Sequence, residues 1–316
     1  DGGETTNVFG GSNASGDVAT SNVTIHDGKV TNVFGGNNVG GTTGTTNVIV
    51  DGVTVNEVVY GGGDQAPINT DTSVIIRNHA DVQGDVFGGG NNGKILGNTV
   101  VDVDTSSVSH NVYGGGNAAD VNGTTSVTIE KQSTVLENVF GGGNNGKVYG
   151  NASTLIHNSS VGQSAFAGGN GVTATVYGNN IIEVDGTTII TNHLFGGGNA
   201  AETGCANNVV IDNETICTAN RASSKVNVAG GTIGGNVYGG ANTSVVNGVA
   251  NVNIGKNVVD NNSLTKGDIH ISGTVFGGGE ANASGSEDYD FNFISVTTGI
   301  NINIDAGSHT NFLIDG

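Results

Sequence analysis

Hydrophobic and polar positions along this chain follow a unit that returns roughly every 26 residues. Each unit contains an apolar residue, an aromatic residue and two small residues, as in Val139-Phe140-Gly141-Gly142. With the aromatic residue as position zero, the copies centre on Phe9, Phe34, Tyr60, Phe87, Tyr113, Phe140, Phe166, Phe195, Tyr238 and Phe276. The intervals are 25, 26, 27, 26, 27, 26, 29, 43 and 38 residues. A period between about 20 and 50 residues indicates a solenoid, a propeller or an array.

Apolar residues at three points of each unit, one of them a pair, indicate which side chains face an interior. Position −1 is apolar in all ten copies. Positions +14 and +16 form aliphatic pairs such as Val74/Ile76, and a spacing of two places both residues on one face of a strand. A third apolar residue stands four or five positions before the aromatic, as Val82 does. One unit therefore predicts one coil of three short strands, and successive coils stack as parallel strands.

We therefore predict an all-β fold, a parallel β-helix (β-solenoid) of about ten coils of ~26 residues. Right-handed connections are expected because they dominate between parallel strands. Residues 1–316 are predicted to form one domain, with regular coils at 7–199 and coils with loop excursions at 200–316. Since the repeats break off inside a coil near Phe312, we expect a fragment of a longer chain. A β-propeller is the alternative, but its blades usually need about 40 to 50 residues.

Small and amide residues recur beside each aromatic residue. Position +1 is Gly in nine copies and position +2 is Gly in all ten, which indicates either positive φ or a close neighbouring backbone. Position +4 carries an amide in eight copies, and stacked coils would align these amides into a structural ladder of hydrogen bonds. The predicted ladder contains Asn13, Asn38, Asn91, Asn117, Asn144, Asn170, Asn199 and Asn242, with Asp64 and Glu280 in the other two copies.

Composition narrows the range of partners. The chain has 57 Gly and one Pro, so long helices are not expected. Its net charge of −19 argues against nucleic acid and anionic membrane surfaces. No apolar run approaches the roughly 18 residues that a membrane-spanning helix requires, so no membrane insertion is expected in this segment.

The late coils contain the irregular segments. Cys205 and Cys217 lie between Phe195 and Tyr238 and are a candidate disulfide, which would fit an oxidising extracellular setting. Whether Val209/Ile211 or Val226/Val228 is the inward pair of that coil is open. Loops on a rigid scaffold often carry binding. The acidic loop residues Glu287, Asp288 and Asp290 are candidate Ca²⁺ ligands, and no other cofactor is expected.

Position +15 should point to solvent, since its neighbours at +14 and +16 point inward. We assign Ile49, Ile75, Val101, Leu155, Ile181 (after a two-residue slip) and Val210 to this row. A continuous apolar stripe of this kind indicates an interface through which rods pair laterally. Two alternatives to an interface stay open: β-branched residues favour strands in any case, and an excursion loop would cover the stripe if it folded back.

The Val-Phe-Gly-Gly-Gly-Asn repeat resembles the parallel β-helix stalks of large bacterial surface proteins, including autotransporter passengers and adhesin-like proteins. The resemblance implies a non-catalytic, extracellular, structural or adhesive role at the cell surface. It also implies a host glycan or surface protein as partner, with self-association end to end or laterally. The alternative is a polysaccharide-binding or polysaccharide-degrading β-helix, of lyase, hydrolase or phage tail-spike type. Against degradation, the chain lacks a Gly-His-Gly, and Arg77 and Arg221 have no aspartate cluster at a matching position.

Overall fold

Short strands joined by turns make up the part of the chain that the computed structural model describes, residues 3–211, 214–255, 264–280, 296, 298–305 and 312–316. The strands form two parallel sheets of 19 and 10 strands and one antiparallel sheet of two strands. Together the parallel sheets make a β-solenoid of about nine turns, so the predicted all-β architecture is confirmed.

The ten-stranded sheet takes one long strand from each coil, and all strands are numbered in chain order. Its strands are β2 (Asp17–Ile25), β4 (Thr42–Asp51), β7 (Thr72–Arg77), β10 (Thr99–Asp104), β13 (Thr125–Glu130), β16 (Ala152–His157), β19 (Asn180–Asp185), β24 (Ser224–Val228), β27 (Val249–Ile254) and β30 (Gly299–Ile304). Each strand pairs in parallel with its counterpart one coil along, so that Val74 lies opposite Val48 on one side and Val101 on the other.

The nineteen-stranded sheet takes two short strands from each coil, which gives the predicted three strands per coil. In the first two coils these strands are merged as β1 (Glu4–Phe9) and β3 (Lys29–Phe34). The first short strands of later coils are β5 (Thr54–Val55), β8 (Asp81–Val82), β11 (Ser107–Val108), β14 (Thr134–Val135), β17 (Ser160–Val161), β20 (Ile189–Ile190), β25 (Gly231–Ile233), β28 (Ile269–Ile271) and β31 (Phe312–Ile314). The second short strands are β6 (Val59–Tyr60), β9 (Val86–Phe87), β12 (Val112–Tyr113), β15 (Val139–Phe140), β18 (Ala165–Phe166), β21 (Leu194–Phe195), β26 (Val237–Tyr238) and β29 (Val275–Phe276).

The core is a continuous line of aliphatic side chains inside the coils. Positions −1, +14 and +16 face it, and in the coil of Tyr113 the corresponding Val112, Val127 and Ile129 are at most 1% exposed. The apolar residue before the aromatic, such as Val108, joins the same cluster. The inward rows predicted from the sequence are thus rows that the coils bury, and hydrophobic burial of these rows holds the stack together.

The glycine at position +2 is needed because neighbouring coils approach closely, and not because of an unusual φ. A Cβ atom on Gly115 would lie 2.8 Å from the backbone nitrogen of Gly143 in the next coil. A Cβ atom on Gly142 would lie 2.8 Å from the Cα atom of Gly169. Both distances are too short for carbon, so any side chain here would force the coils apart.

In five coils a buried hydroxyl of the long strand donates to a turn carbonyl of the following coil. Thr46 Oγ1 donates to the carbonyl of Gly61 at 2.5 Å, and Thr125 Oγ1 donates to the carbonyl of Gly141 at 2.6 Å. Because these hydroxyls are at most 1% exposed, the hydrogen bond satisfies a polar group that water does not reach.

The coil between Phe195 and Tyr238 resolves the choice that the sequence left open. Val226 and Val228 lie in β24 with no exposed surface, opposite inward residues of β19 and β27. The other candidate pair belongs to β22 (Val209–Ile211), which pairs antiparallel with β23 (Glu214–Cys217) outside the two large sheets. The extra residues of this coil therefore form a hairpin that leaves the rod.

Candidate binding surface on the rod flank

The predicted amide ladder at position +4 runs along the outside of the coils. In the regular part, Asn144 donates to Asn117 Oδ1 at 2.9 Å and accepts from Asn170 at 2.8 Å. The other bonds of the ladder join Asn38 to Asn13, Asn91 to Asp64, Asn117 to Asn91, Asn199 to Asn170 and Asn242 to Asn199, at 2.6 to 2.9 Å. Each amide within the ladder uses both its donor and its acceptor along the rod axis, so these side chains serve coil stacking.

The aromatic residues at position zero form a second ladder. From Phe9 to Phe276, neighbouring rings are stacked with centroids 4.6 to 5.0 Å apart and planes within 15° of parallel. The rings cluster separately from the aliphatic core, since adjacent residues of a strand point to opposite faces. Tyr60 reaches the amide ladder and donates to Asn91 Oδ1 at 3.3 Å. The stack is one more row whose contacts run from coil to coil.

Two further polar ladders were not found by reasoning from the sequence. At position −2, Asn138 Nδ2 donates to Asn111 Oδ1 at 3.0 Å, and Asn138 Oδ1 accepts from the Ser164 amide at 3.1 Å. At the turn before the long strand, Asn98 Oδ1 accepts from the Thr124 amide at 2.9 Å. The rows mix Asn, Asp, Ser and Thr, which share a short side chain with an acceptor oxygen. That shared chemistry at a fixed position is the signal that would have identified them.

The first excursion is a hairpin that is closed at its base by a disulfide. Cys205 and Cys217 are bonded, with the sulfur atoms 2.05 Å apart, and the two residues are buried. The amide of Ala219 donates to Asn208 Oδ1 at 2.8 Å, which holds the exit of the hairpin. Its outer side chains are exposed, with Val210 at 57%. The hairpin is thus a covalently fixed projection from an otherwise repetitive surface.

The hairpin folds back over earlier coils and encloses a cleft of about 270 Å³. The cleft is lined from the hairpin by Ile211, Glu214 and Ile216, and from the rod by Lys94, Asn122 and Tyr149. The rod residues come from three successive coils that precede the one from which the hairpin departs. The excursion therefore builds a mixed polar and apolar cleft that no single coil contains.

The second excursion belongs to the long coil between Tyr238 and Phe276, and its described residues 264–267 are held against the rod by a buried carboxylate. Asp185, which is 2% exposed, accepts from the Thr265 amide at 2.6 Å and contacts His157 Nδ1 at 2.7 Å. The Gly186 amide donates to the carbonyl of Thr265 at 3.0 Å. Leu264 packs against Leu155 on the outer face of the long sheet. Both excursions thus return to coils that lie earlier in the rod.

The predicted apolar stripe at position +15 is wrong as a continuous surface. Val101 has no exposed surface, because it lies opposite Val74 in the inward row, and Asp102 takes the outward position. Ile181 lies opposite Ser153, one row away, and Val210 belongs to the hairpin.

Of the remaining aliphatic residues in the +15 row, Ile49 and Ile75 are adjacent to each other. Leu155 is partly covered by Leu264, so at this position an excursion loop does fold back over the row. The outward face of this sheet therefore carries short apolar segments and no continuous stripe among the residues described.

The charged residues of the same sheet face form a local network. Arg77 pairs with Asp51 at 2.8 Å, and Lys131 pairs with Asp104 at 2.7 Å. Burial, followed by the nearby carboxylates, raises the pKa of Asp102, one of whose oxygens is buried without a partner. The ion pairs are solvent-accessible and contribute little stability, about 0 to 1 kcal/mol each.

The predicted calcium ligands Glu287, Asp288 and Asp290 lie outside the described residues. Within the described ranges, no three His, Cys, Asp or Glu side chains come together as a metal site. The same residues include no helix of the length and apolarity that a bilayer crossing would need.

No protein-family model, no curated protein and no solved structure matches this chain. The likeness to bacterial surface stalks thus rests on the repeat alone.

Proposed function

We propose that this chain is a non-catalytic extracellular rod, a stalk or fibre segment of a bacterial cell-surface protein, that displays binding elements on its flank. The observation that best supports the structural part is the set of ladders. On three outer polar rows and in the aromatic stack, side chains of the regular coils use their hydrogen bonds or ring faces on the neighbouring coil. Contacts of this kind stiffen a rod along its axis.

The disulfide supports an extracellular location. Cysteine pairs persist in oxidising compartments and are kept reduced in most cytosolic proteins. The bonded pair Cys205 and Cys217 closes the hairpin in the position where it meets the rod. A chain that matured in a reducing compartment would lose this constraint on the hairpin.

The adhesive part of the proposal rests on the two excursions. Binding sites lie disproportionately on loops that a rigid scaffold positions, and both excursions are anchored to the rod by specific contacts. The partner that we propose is a host glycan or surface protein. Association with further copies of the rod, end to end or side by side, belongs to the same proposal.

A binding screen with a turnover assay tests this function. The full chain is applied to a glycan array and to immobilised surface proteins, and soluble polysaccharides are assayed for cleavage. We expect binding without turnover. A matched variant has residues 205–217 replaced by a short Gly-Ser linker, and we expect it to lose binding while its unfolding midpoint stays unchanged.

Two results would contradict the proposal. Cleavage of a polysaccharide would support the degrading β-helix instead. Free thiols at Cys205 and Cys217 in protein from the native source, measured by alkylation without reductant, would argue against the extracellular location.

A further inference from the structure

The hairpin reaches back along the rod. Its strand β22 (Val209–Ile211) begins after bends at Ala206 and Asn207, and its first residue, Val209, lies opposite Cys217, the disulfide partner of Cys205. The coil of Cys205 lies four coils after the coil of Lys94, about 19 Å at ~4.8 Å per coil. The far end of the hairpin, Ile211 and Glu214, nevertheless lies beside Lys94 and Asn122, and these four residues line one cleft.

The rod side of the cleft is held rigid around Tyr149. Tyr177 of the next coil stacks on the ring at 5.3 Å between centroids, and Lys94 places its ammonium 5.5 Å from the ring centroid. The Tyr149 hydroxyl donates to Asp120 Oδ2 at 3.3 Å. Burial, then the charge of Asp120, raises the pKa of Tyr149 to about 12, so the phenol stays neutral. Its ring position is therefore set before any ligand arrives.

The lining of the cleft combines opposite chemistries. Lys94 supplies an ammonium that forms no ion pair with another described residue, and Glu214 supplies a carboxylate. Asn122 adds an amide that donates and accepts. Ile211 and Ile216 supply apolar surface. A ligand that fits must present an apolar face together with a rim of groups that both donate and accept hydrogen bonds.

Size and charge select among such ligands. The cleft volume of about 270 Å³ lies just below the ~300 to 1,000 Å³ typical of sites for drug-sized molecules, so one ring fills it. The net charge of −19 disfavours anionic ligands near the rod. A neutral pyranose has an apolar C–H face and a rim of hydroxyl groups, which meets both requirements.

We infer that the cleft between the hairpin and the rod binds one neutral sugar ring of a glycan, with Lys94, Asn122 and Glu214 contacting its hydroxyl groups. The inference rests on the proposed adhesive function, for which it names the ligand class and the site. It assigns no chemical step to the cleft. The second excursion takes no part in it.

The test uses the full chain and a glycan array that contains neutral hexose, N-acetylhexosamine, uronic acid and sialic acid conjugates. Asn122→Ala and Glu214→Ala each remove one polar contact, and we expect each to weaken binding of a neutral sugar about tenfold, the effect of one lost hydrogen bond. The matched control is Asn69→Ala, because Asn69 is an exposed residue at the same coil position outside the cleft. It should bind as the parent does, and thermal unfolding should coincide for all four proteins.

Several outcomes would overturn the inference. These are unchanged affinity in both cleft variants, binding confined to acidic sugars or to peptides, and binding of no glycan. If binding survives the cleft variants but is lost with the hairpin, the cleft assignment fails while the proposed function stands. Cleavage of the glycan would refute the proposed function itself.

Discussion

The coils from Lys29 to Phe195 and the coils that follow are built from the same unit, yet they differ in regularity. In the first region aromatic residues recur every 26 to 29 residues, and in the second the intervals reach 43 and 38 residues. The inward residues of the first region have little or no exposed surface. In the second, Val226, Val228, Val252 and Ile254 are equally buried, but in the last described coil Ile304 is 46% exposed.

The comparison shows that one repeat unit can build both a regular rod and coils that carry inserted loops. Side-chain ladders in the first region bond most coils to their neighbours. The later coils keep the inward rows but accept insertions, since lengthening a surface loop adds little entropic cost. The free energy of local unfolding should therefore be highest in the first region. The inserted loops that could contact a partner lie in the second.

The largest expected contrast concerns the aliphatic core at position +16. Ile129→Ala empties a site with no exposed surface and should cost about 2 to 5 kcal/mol of unfolding free energy. Ile304→Ala, at the corresponding position of β30, should cost less than about 1.5 kcal/mol, because that side chain is half exposed. Urea unfolding followed by circular dichroism measures both. Equal costs would mean that the two regions are packed alike.

The glycine at position +2 gives a second matched pair. In Gly115→Ala the new Cβ atom would contact the backbone of Gly143, and we expect a loss of about 1 to 3 kcal/mol. At Gly278 a Cβ atom meets no described atom within 4 Å, so Gly278→Ala should be neutral or stabilise by about 0.4 to 1 kcal/mol. The denaturant midpoint of unfolding of each variant, compared with that of the parent protein, measures both effects. A tolerated alanine at position 115 would disprove the requirement for close approach.

The amide ladder should be more sensitive in its middle than near its end. Asn144→Ala removes two hydrogen bonds and leaves Asn117 and Asn170 each with an unpaired amide group, for about 1 to 3 kcal/mol. Asn242→Ala removes one bond, and the Asn242 oxygen is already buried without a partner, so the loss should stay below about 1 kcal/mol. Thermal unfolding of the two variants gives the order, and the reverse order would contradict the ladder's role.

The smallest effect concerns alkaline pH. Burial, followed by the charges of Asp85 and Asp64, raises the pKa of Tyr60 to about 12, against about 10 in the unfolded chain. The unfolded state therefore loses its proton first, and stability falls as pH rises from about 10 through 12. Tyr60→Phe should move alkaline unfolding to higher pH, and the neighbouring Phe87 shows that the stack accepts phenylalanine. No movement would mean that Tyr60 ionises as it does in the unfolded chain.

Much of the rod was predictable from the sequence because the inward rows repeat at fixed offsets from the aromatic residue. Val112, Val127 and Ile129 needed no long-range information, since a spacing of two fixes one face of a strand. The +4 amides were equally accessible, because one residue type recurs there.

Register errors and excursions were harder to predict. Val100 and Val101 are adjacent valines that offer two registers, and only the pairing of Val101 with Val74 selects the inward one. The cleft under the hairpin depends on a fold-back over four coils. Nothing local to Ile211 or Glu214 indicates that contact, because the rod residues that it involves belong to coils far earlier in the chain.

Native-state hydrogen exchange tests most directly the claim that a rigid, ladder-bonded region supports excursions of lower stability. We expect the strand amides between β4 and β19 to be the slowest in the chain and to exchange as one group, at the free energy of global opening. The hairpin amides of β22 and β23 should exchange faster, and faster still after reduction of the disulfide, with the rates of β4 to β19 unchanged. Hairpin protection equal to that of the regular strands, or loss of rod protection on reduction, would contradict the account.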